Sequence, residues 1–147
     1  MADTFLLEIV TPDRLVVSEK VEMATAPGVE GEFGVLPGHT PFLSLLTFGE
    51  IGYRVGGEDI FMAVSWGFAE VLPQRVTVLV ETAEMAEEID ISRAESAQKR
   101  AEERLARRDD STVDFDRAQA AIQRSLIRMR VARKRSRRSR GQQAPQT

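Results

Sequence analysis

Arginines in the C-terminal third of the chain recur at spacings that place them along one side of a helix. Successive residues of a helix are rotated by about 100° around its axis. On that basis the side chains of one set lie within about 40° of a single line along the helix, and those of a second set within about 20° of another such line. Two such helices packed side by side would bring the edges together as a phosphate site beside a helix N-terminus. In the other interpretation, solvated arginines pair with Glu95, Glu102 and Glu103. The first set is Arg93, Arg100, Arg104 and Arg107, and the second is Arg117, Arg124, Arg128 and Arg135.

The helices that carry these arginines have recognisable starting signals. Asp90 can cap the first helix, and Ser92 with Glu95 has the spacing of a capping box, so the helix begins at one or the other. The segment RRDDSTVD at residues 107–114 then interrupts the helical pattern, and Asp114 can cap a second helix that begins at Phe115. The sequence therefore predicts two helices that fold back on each other as a hairpin.

The charge of the chain changes sign at the start of the first helix. Residues 1–90 contain 16 acidic and 4 basic residues, a formal charge of −12, whereas residues 91–147 contain 7 and 16, a formal charge of +9. After Glu84 the composition also changes to Ala, Glu, Arg, Gln and Lys, which are good helix formers. We therefore expect a globular N-terminal domain followed by a smaller helical one.

The residue inventory limits the chemistry of the chain. With no Cys and one His among its 147 residues, disulfides, thiolate catalysis and a Cys/His zinc site are excluded, and a reducing compartment is indicated. No phosphate-binding glycine loop and no nucleophile elbow are present. These absences argue against an independent ATPase or hydrolase.

Turn residues divide the segment from Thr4 to Thr82 into short β-rich runs, a spacing typical of a sandwich or barrel. The two runs IGYRV and EDIFMAV, joined by Gly56 and Gly57, predict a hairpin with a two-residue turn. The run RVTVLVE at residues 75–81 is apolar on both alternating faces, which predicts a central strand that is covered on both sides.

The segment GVEGEFGVLPGHTP, residues 28–41, contains the single His and the densest Gly and Pro content. It is either a set of tight turns between strands or an exposed contact loop in which Glu30, Glu32 and His39 face a partner.

A basic segment follows the second helix, and from about Arg137 the sequence predicts disorder. Its charge is solvated, or binds nucleic acid, or contacts an acidic protein or lipid surface. Nucleic-acid recognition usually adds aromatic platforms, and the basic half of the chain has only Phe115. That interpretation is therefore the least favoured of the three.

Four blocks of the sequence resemble the epsilon-subunit family of bacterial F-type (rotary, proton-translocating) ATP synthases. They are VTPDRLVVSEKVEMATAPGVEGEFGVLPGHTP at 10–41, VSWGFAEVLPQRVTVLVETAE at 64–84, IDISRA at 89–94 and VDFDRAQAAIQRSLIRMRVA at 113–132. The string GEFGVLPGHTP is highly specific, and the resemblance covers nearly the whole chain.

The resemblance implies an α+β fold in which a β-sandwich of about ten strands precedes an antiparallel two-helix hairpin. With the composition changes, it places the sandwich at 1–86, the regulatory hairpin at 87–136 and a basic disordered tail at 137–147.

The function implied is that of a non-catalytic central-stalk subunit, which couples rotation to ATP synthesis and inhibits ATP hydrolysis through its C-terminal helices. Its partners would be the gamma subunit, the c-subunit ring and the alpha and beta subunits of the catalytic head. Nucleic acid would not be a partner. The chain would lie peripherally at the cytoplasmic face of the bacterial inner membrane, with membrane contact only through the c ring. The contact residues implied are Glu30, Glu32 and His39.

The resemblance also implies that ATP is a regulatory ligand and that no cofactor is required. Asp90 would cap the first helix and either hydrogen-bond the adenine or order the binding turn, while four arginines would hold the phosphates. The full set of nucleotide residues carried over is Glu84, Ile89, Asp90, Arg93, Ala94, Arg100, Arg124 and Arg128.

A different class of function remains as an alternative: a free-standing sandwich that presents a basic helical arm to RNA or to anionic lipid. Salt-sensitive binding to nucleic acid without affinity for gamma would distinguish it.

Overall fold

The computed structural model describes the backbone of residues 3–107 and 114–141, with side chains described up to residue 134. The chain divides into two compact units between Met85 and Ala86, which we call the sandwich unit and the helical unit. Neither helix in the described part of the chain is both long and apolar enough to cross a membrane.

Within the described residues 3–85, the sandwich unit contains ten strands, which agrees with the predicted number of about ten. They join in the order β10-β7-β6-β3-β5-β8-β9-β1-β2, with β4 paired to β3. The pairs are antiparallel apart from β1 with β9, which is parallel. The strands are β1 (Phe5–Val10), β2 (Leu15–Val21), β3 (Met23–Gly28), β4 (Gly31–Val35), β5 (Phe42–Leu46), β6 (Gly49–Val55), β7 (Glu58–Val64), β8 (Gly67–Val71), β9 (Arg75–Val80) and β10 (Ala83–Met85).

Alternation of apolar side chains builds the core of the sandwich unit. In β1, Phe5, Leu7 and Ile9 are buried while the intervening side chains are partly exposed. The strands β3 and β9 alternate in the same way, because successive side chains of a strand point to opposite sides of the sheet. The largest fully buried side chains of this unit are Leu7, Ile9, Leu46, Ile51, Met62, Val21, Val64, Val71 and Val78.

The predicted hairpin is confirmed as β6 and β7. Gly56 and Gly57 have φ angles of +56° and +79°, which glycine adopts without steric cost and which a two-residue turn between twisted strands requires. Beside the turn, Arg54 Nε donates a hydrogen bond of 2.8 Å to Asp59 Oδ1. This bond, together with the charge of Asp59, raises the pKa of Arg54.

The prediction that RVTVLVE is covered on both sides is wrong. The strand β9 does lie within the sheet, between β8 and β1, but only Val76, Val78 and Val80 are buried. On the other face Leu79 keeps 37% of its surface exposed. The outer face of this strand carries Arg75, Thr77 and Leu79, so the run is apolar on one face and mixed on the other.

The approach of β8 to β9 requires a glycine at position 67. A methyl group on Gly67 would overlap the carbonyl oxygen of Leu79 and lie 2.8 Å from the Cα of Val80. We expect Gly67→Ala to lower the free energy of unfolding by about 3 kcal/mol, because backbone atoms cannot move aside as a side chain can. Gly34→Ala is the matched control, since the nearest atom to its methyl group would be 4.0 Å away.

Denaturant titration of the two glycine variants tests this requirement. Gly34→Ala should stay within about 0.5 kcal/mol of wild type. Equal denaturation midpoints for the two variants would show that β8 and β9 can move apart to accept the added methyl group without loss of stability. That result would contradict the requirement for glycine at position 67.

The helical unit begins with a 3₁₀ turn at Ala86–Glu88, followed by α1 (Ile91–Ala106) and α2 (Phe115–Gly141). The N-cap of α1 is Asp90, whose Oδ1 accepts a hydrogen bond of 3.1 Å from the Arg93 N–H. The structure therefore selects Asp90 over Ser92 as the starting residue. At α2, Asp114 Oδ1 accepts the equivalent bond from the Arg117 N–H at 3.0 Å, which confirms the predicted start.

The two helices pack against each other. The buried side chains of this unit's helices are mostly small, namely Ala94, Ala101, Ala118, Ser125 and Ala132, with the larger Met129 and Val131 on α2. The backbone of α2 is described as far as Gly141. The disorder predicted for residues 137–147 falls where side chains, and from residue 142 the backbone too, lie outside the described part of the chain.

Candidate functional site

The helical unit carries the four arginines predicted to bind phosphate. Arg93 lies in the first turn of α1 and Arg100 lies two turns further along, and both are exposed. Arg124 and Arg128 lie one turn apart on α2 and are half-buried. Since α1 and α2 pack together, the two pairs belong to one compact unit, and each pair follows a single helix edge.

Three further predicted residues surround the start of α1, and they differ in access to solvent. Ala94 has no exposed surface and Ile89 retains 7%. Asp90 is exposed, and one of its carboxylate oxygens caps the helix. Of this group Asp90 alone has a side chain open to solvent, whereas the side chains of Ile89 and Ala94 are buried.

The eighth predicted nucleotide residue, Glu84, lies on β10 opposite Ala63 of β7. It belongs to the sandwich unit, whereas the other seven belong to the helical unit. The helical unit alone therefore supplies all of the arginines and the helix start.

The predicted contact loop contains a strand, β4, which the interpretation as turns alone did not include. Glu30 lies in the turn before β4 and Glu32 lies on it, and both are exposed. The ring of His39 lies 6.3 Å from that of Phe42, which in turn packs edge-on against Phe33 at 5.2 Å. A row of aromatic rings thus connects His39 to the strand that carries Glu32.

An apolar row, exposed except for the half-buried Val10, crosses five strands of the sandwich unit on its outer face. The strand register pairs Leu45 with Phe68, Phe68 with Leu79, Leu79 with Val10, and Val10 with Leu15. At about 4.8 Å per strand spacing, the row is roughly 19 Å long. We call these residues the outer apolar row: Leu45, Phe68, Leu79, Val10 and Leu15.

Trp66 extends the outer apolar row at one edge. It is 59% exposed and, with Pro12 and three residues of the row, lines an open recess of about 470 Å³. A large indole with this much exposed surface, beside a groove, is typical of a protein contact surface.

Carboxylates border the outer apolar row on both sides. Glu70 and Glu8 lie in the neighbouring row of the sheet, and Asp13 and Glu81 lie two residues from row members on the opposite side. Of these, Glu8 pairs with Arg75 at 2.6 Å. A partner surface that matches this face would be apolar at its centre and basic at its border.

Sequence reasoning missed the outer apolar row, although one signal was present. The second face of residues 75–81 carries the polar Arg75, Thr77 and Glu81, and the apolar Leu79 among them was the signal.

Metal chemistry finds no support in the described residues. Within residues 3–107 and 114–141, no three His, Asp or Glu side chains lie close enough together to hold a metal ion.

Both units match known protein families. The model of the ATP synthase delta/epsilon chain beta-sandwich domain matches residues 4–86. The model of the ATP synthase delta/epsilon chain long alpha-helix domain matches residues 87–133. Together the two matches span nearly all of the described chain.

Individual relatives agree with these families. The ATP synthase epsilon chain of Nitratidesulfovibrio vulgaris (strain DP4) is 57% identical over 131 residues, which cover 89% of this chain and 97% of that one. The ATP synthase epsilon chain of Syntrophobacter fumaroxidans is 54% identical over 134 residues, with coverages of 91% and 99%. Among solved structures, a chain of the Euglena gracilis mitochondrial ATP synthase (OSCP/F1/c-ring, rotational state 1) matches with a TM-score of 0.75 and 26% identity, over 85% of this chain and 79% of that one.

Proposed function

The chain belongs to the ATP synthase delta/epsilon chain family, as a non-catalytic epsilon subunit of the F-type enzyme, and we propose that its outer apolar row joins it to the central stalk. The observation that carries this proposal is the exposed face of β5, β8, β9, β1 and β2. Exposing this much apolar surface to water costs free energy, and large exposed apolar patches on proteins usually mark contact surfaces.

The partner on this face is the gamma subunit. The stalk subunit that meets the outer apolar row would present apolar side chains at the centre and basic ones at the border, opposite Glu70 and Glu81. Each charge pair at the border would add little to the affinity for gamma. Its main effect would be to favour one alignment of the two surfaces over the others. The recess beside Trp66 would receive one bulky side chain of gamma.

The c ring would meet the segment that includes Glu30, Glu32 and His39. The two carboxylates are exposed on and before β4, and the aromatic row from Phe33 to His39 would hold the following loop in place. This contact would be polar, in contrast to the apolar contact with gamma. The chain would thereby lie at the cytoplasmic face of the inner membrane without entering it.

The helical unit regulates the direction of catalysis. When α1 and α2 separate from each other, they would reach the alpha and beta subunits and inhibit ATP hydrolysis. Most of the buried side chains of these helices are alanine or serine, which bury little apolar area, beside the larger Met129 and Val131 of α2. This composition would keep the cost of opening the side-by-side packing modest.

ATP would favour the state in which the helices lie side by side. Phosphates held by Arg93 and Arg100 on α1 and by Arg124 and Arg128 on α2 need both helices together. A ligand shifts such an equilibrium only through its different affinity for the two states, and each tenfold preference is worth about 1.4 kcal/mol.

The alternative of a free-standing RNA-binding or lipid-binding module has lost its support. Both units match domains of one family, and the relatives cover the chain almost from end to end.

Removal of the helical unit should separate the two activities. In a chain truncated after Glu88, the sandwich unit keeps its buried core, so we expect one cooperative β-type unfolding transition. The truncated chain should still co-purify with gamma and the c ring, and the enzyme assembled with it should couple normally but lose inhibition of ATP hydrolysis.

Thermal unfolding, co-purification and ATPase assays of the assembled enzyme test this separation. The full-length chain is the control for each measurement. A truncated chain that folds but does not bind gamma would contradict the assignment of docking to the sandwich unit.

A further inference from the structure

Both helices of the helical unit begin with the same sequence. The pattern Asp-x-x-Arg-Ala occurs at residues 90–94 and again at 114–118, 24 positions later. In each copy the Asp carboxylate accepts a hydrogen bond from the Arg N–H, at 3.1 Å in α1 and 3.0 Å in α2. In each copy the Asp backbone carbonyl accepts one from the Ala N–H, at 3.1 Å and 3.0 Å. The two helix starts are therefore one structural element used twice.

The repeat continues along both helices at the same offset. The arginines and two of the three interface pairs recur in type, and the third interface pair joins two small residues, Ala101 and Ser125. The interface residues also recur in burial, since the first and third pairs listed below are buried and the second is half-buried. The interface pairs are Ala94 with Ala118, Ala97 with Ala121, and Ala101 with Ser125, and the arginine pairs are Arg93 with Arg117, Arg100 with Arg124, and Arg104 with Arg128.

The second copy of the pattern shows what Asp90 and Ala94 do in the first. Ala94 and Ala118 retain 0% and 3% of their surface, so each packs its own helix against the other. The Asp of the second copy makes the capping bond although no ligand contact is assigned to it. The same bond at Asp90 is thus explained by folding alone. A carboxylate beside a polyphosphate would also repel it.

We propose that Asp90 is a positioning residue, which fixes the first turn of α1 and so holds Arg93 in place, and which makes no contact of its own with the nucleotide. This inference rests on the proposed binding of ATP to the helical unit. It distinguishes between the two roles that the family resemblance leaves open for Asp90.

Three variants of the full chain separate the two roles. Asp90→Ser keeps a capping oxygen and removes the charge, whereas Asp90→Ala removes both. Asp114→Ala is the matched control, because it removes the same cap from the other helix. Amide hydrogen exchange at residues 93 and 117 reports each helix start without ATP, and calorimetry with ATP reports affinity.

The expected result is a different response from each variant. Asp90→Ala should lower protection of the Arg93 amide about fivefold and weaken ATP binding, because loss of a cap frays the first turn. Asp90→Ser should keep protection within about twofold of wild type and bind ATP as well as wild type or better. Asp114→Ala should lower protection of the Arg117 amide about fivefold while ATP affinity changes less than about twofold.

Two outcomes would overturn the inference. In one, Asp90→Ser loses ATP affinity as severely as Asp90→Ala while its Arg93 amide exchanges at the wild-type rate. That result would show that the Asp90 carboxylate contacts the nucleotide directly. In the other, Asp90→Ala leaves exchange unchanged. If the wild-type chain binds no ATP, the proposed nucleotide site fails, but the exchange rates still decide whether Asp90 holds the first turn.

Discussion

Replacing Leu79 by Glu is expected to weaken binding of gamma at least ~100-fold, the equivalent of about 3 kcal/mol. Leu79 is the central member of the outer apolar row, paired on either side with Phe68 and Val10. A carboxylate there would be desolvated in the contact and would lie among carboxylates that already border the row. The measurement is a titration of purified gamma into the purified chain.

The matched control is Leu126→Glu. This substitution also places a carboxylate at an exposed leucine, but on α2 of the helical unit. We expect it to leave the affinity for gamma within about twofold, since surface changes away from a contact have small effects. Wild-type affinity for the Leu79→Glu variant, with its unfolding transition preserved, would place the docking face elsewhere.

Replacing Arg93 or Arg128 by Ala is expected to weaken ATP binding by about 10-fold to 100-fold. Hydrogen bonds to charged groups contribute roughly 1.5 to 3 kcal/mol each, and every 1.4 kcal/mol corresponds to tenfold in affinity. The two arginines lie on different helices, so each loss removes a link between α1 and α2. In the assembled enzyme, both variants should therefore be inhibited at ATP concentrations that relieve inhibition in wild type.

Arg107→Ala is the control for the arginine variants. Arg107 follows α1 as its C-cap and lies outside the proposed set, so ATP affinity should change less than about twofold. Calorimetry measures affinity, and paired labels at exposed Ser96 and Gln123 measure the distance between the helices. If ATP at millimolar concentration neither binds wild type nor alters this distance, the arginines form only a solvated edge or a docking surface for the catalytic subunits.

The features that sequence predicted well are those determined by nearby residues. The Gly56-Gly57 turn and the caps at Asp90 and Asp114 depend on the conformations and hydrogen bonds of residues only a few positions apart. The arginine edges follow from the period of the helix in the same way. Such local features are specified by types and spacing, so the sequence alone identifies them.

The features that sequence missed depend on distant partners. Whether Leu79, on the mixed second face of residues 75–81, is covered depends on what packs over β9 and not on its neighbours in the run. The strand β4 was missed because its Gly-rich, Pro-flanked sequence resembles a loop, and its conformation is stabilised by pairing with β3. In the proposed nucleotide site, sequence could not show that Ile89 and Ala94 are buried.

Photo-crosslinking in the enzyme assembled in native membranes tests most directly whether the outer apolar row is the docking face. A photoreactive residue would replace Leu79, and in a separate chain Asp59, which is exposed near the turn between β6 and β7. We expect a crosslink from position 79 to gamma and none from position 59. A chain that assembles into the enzyme but forms no crosslink to gamma from position 79 would contradict it.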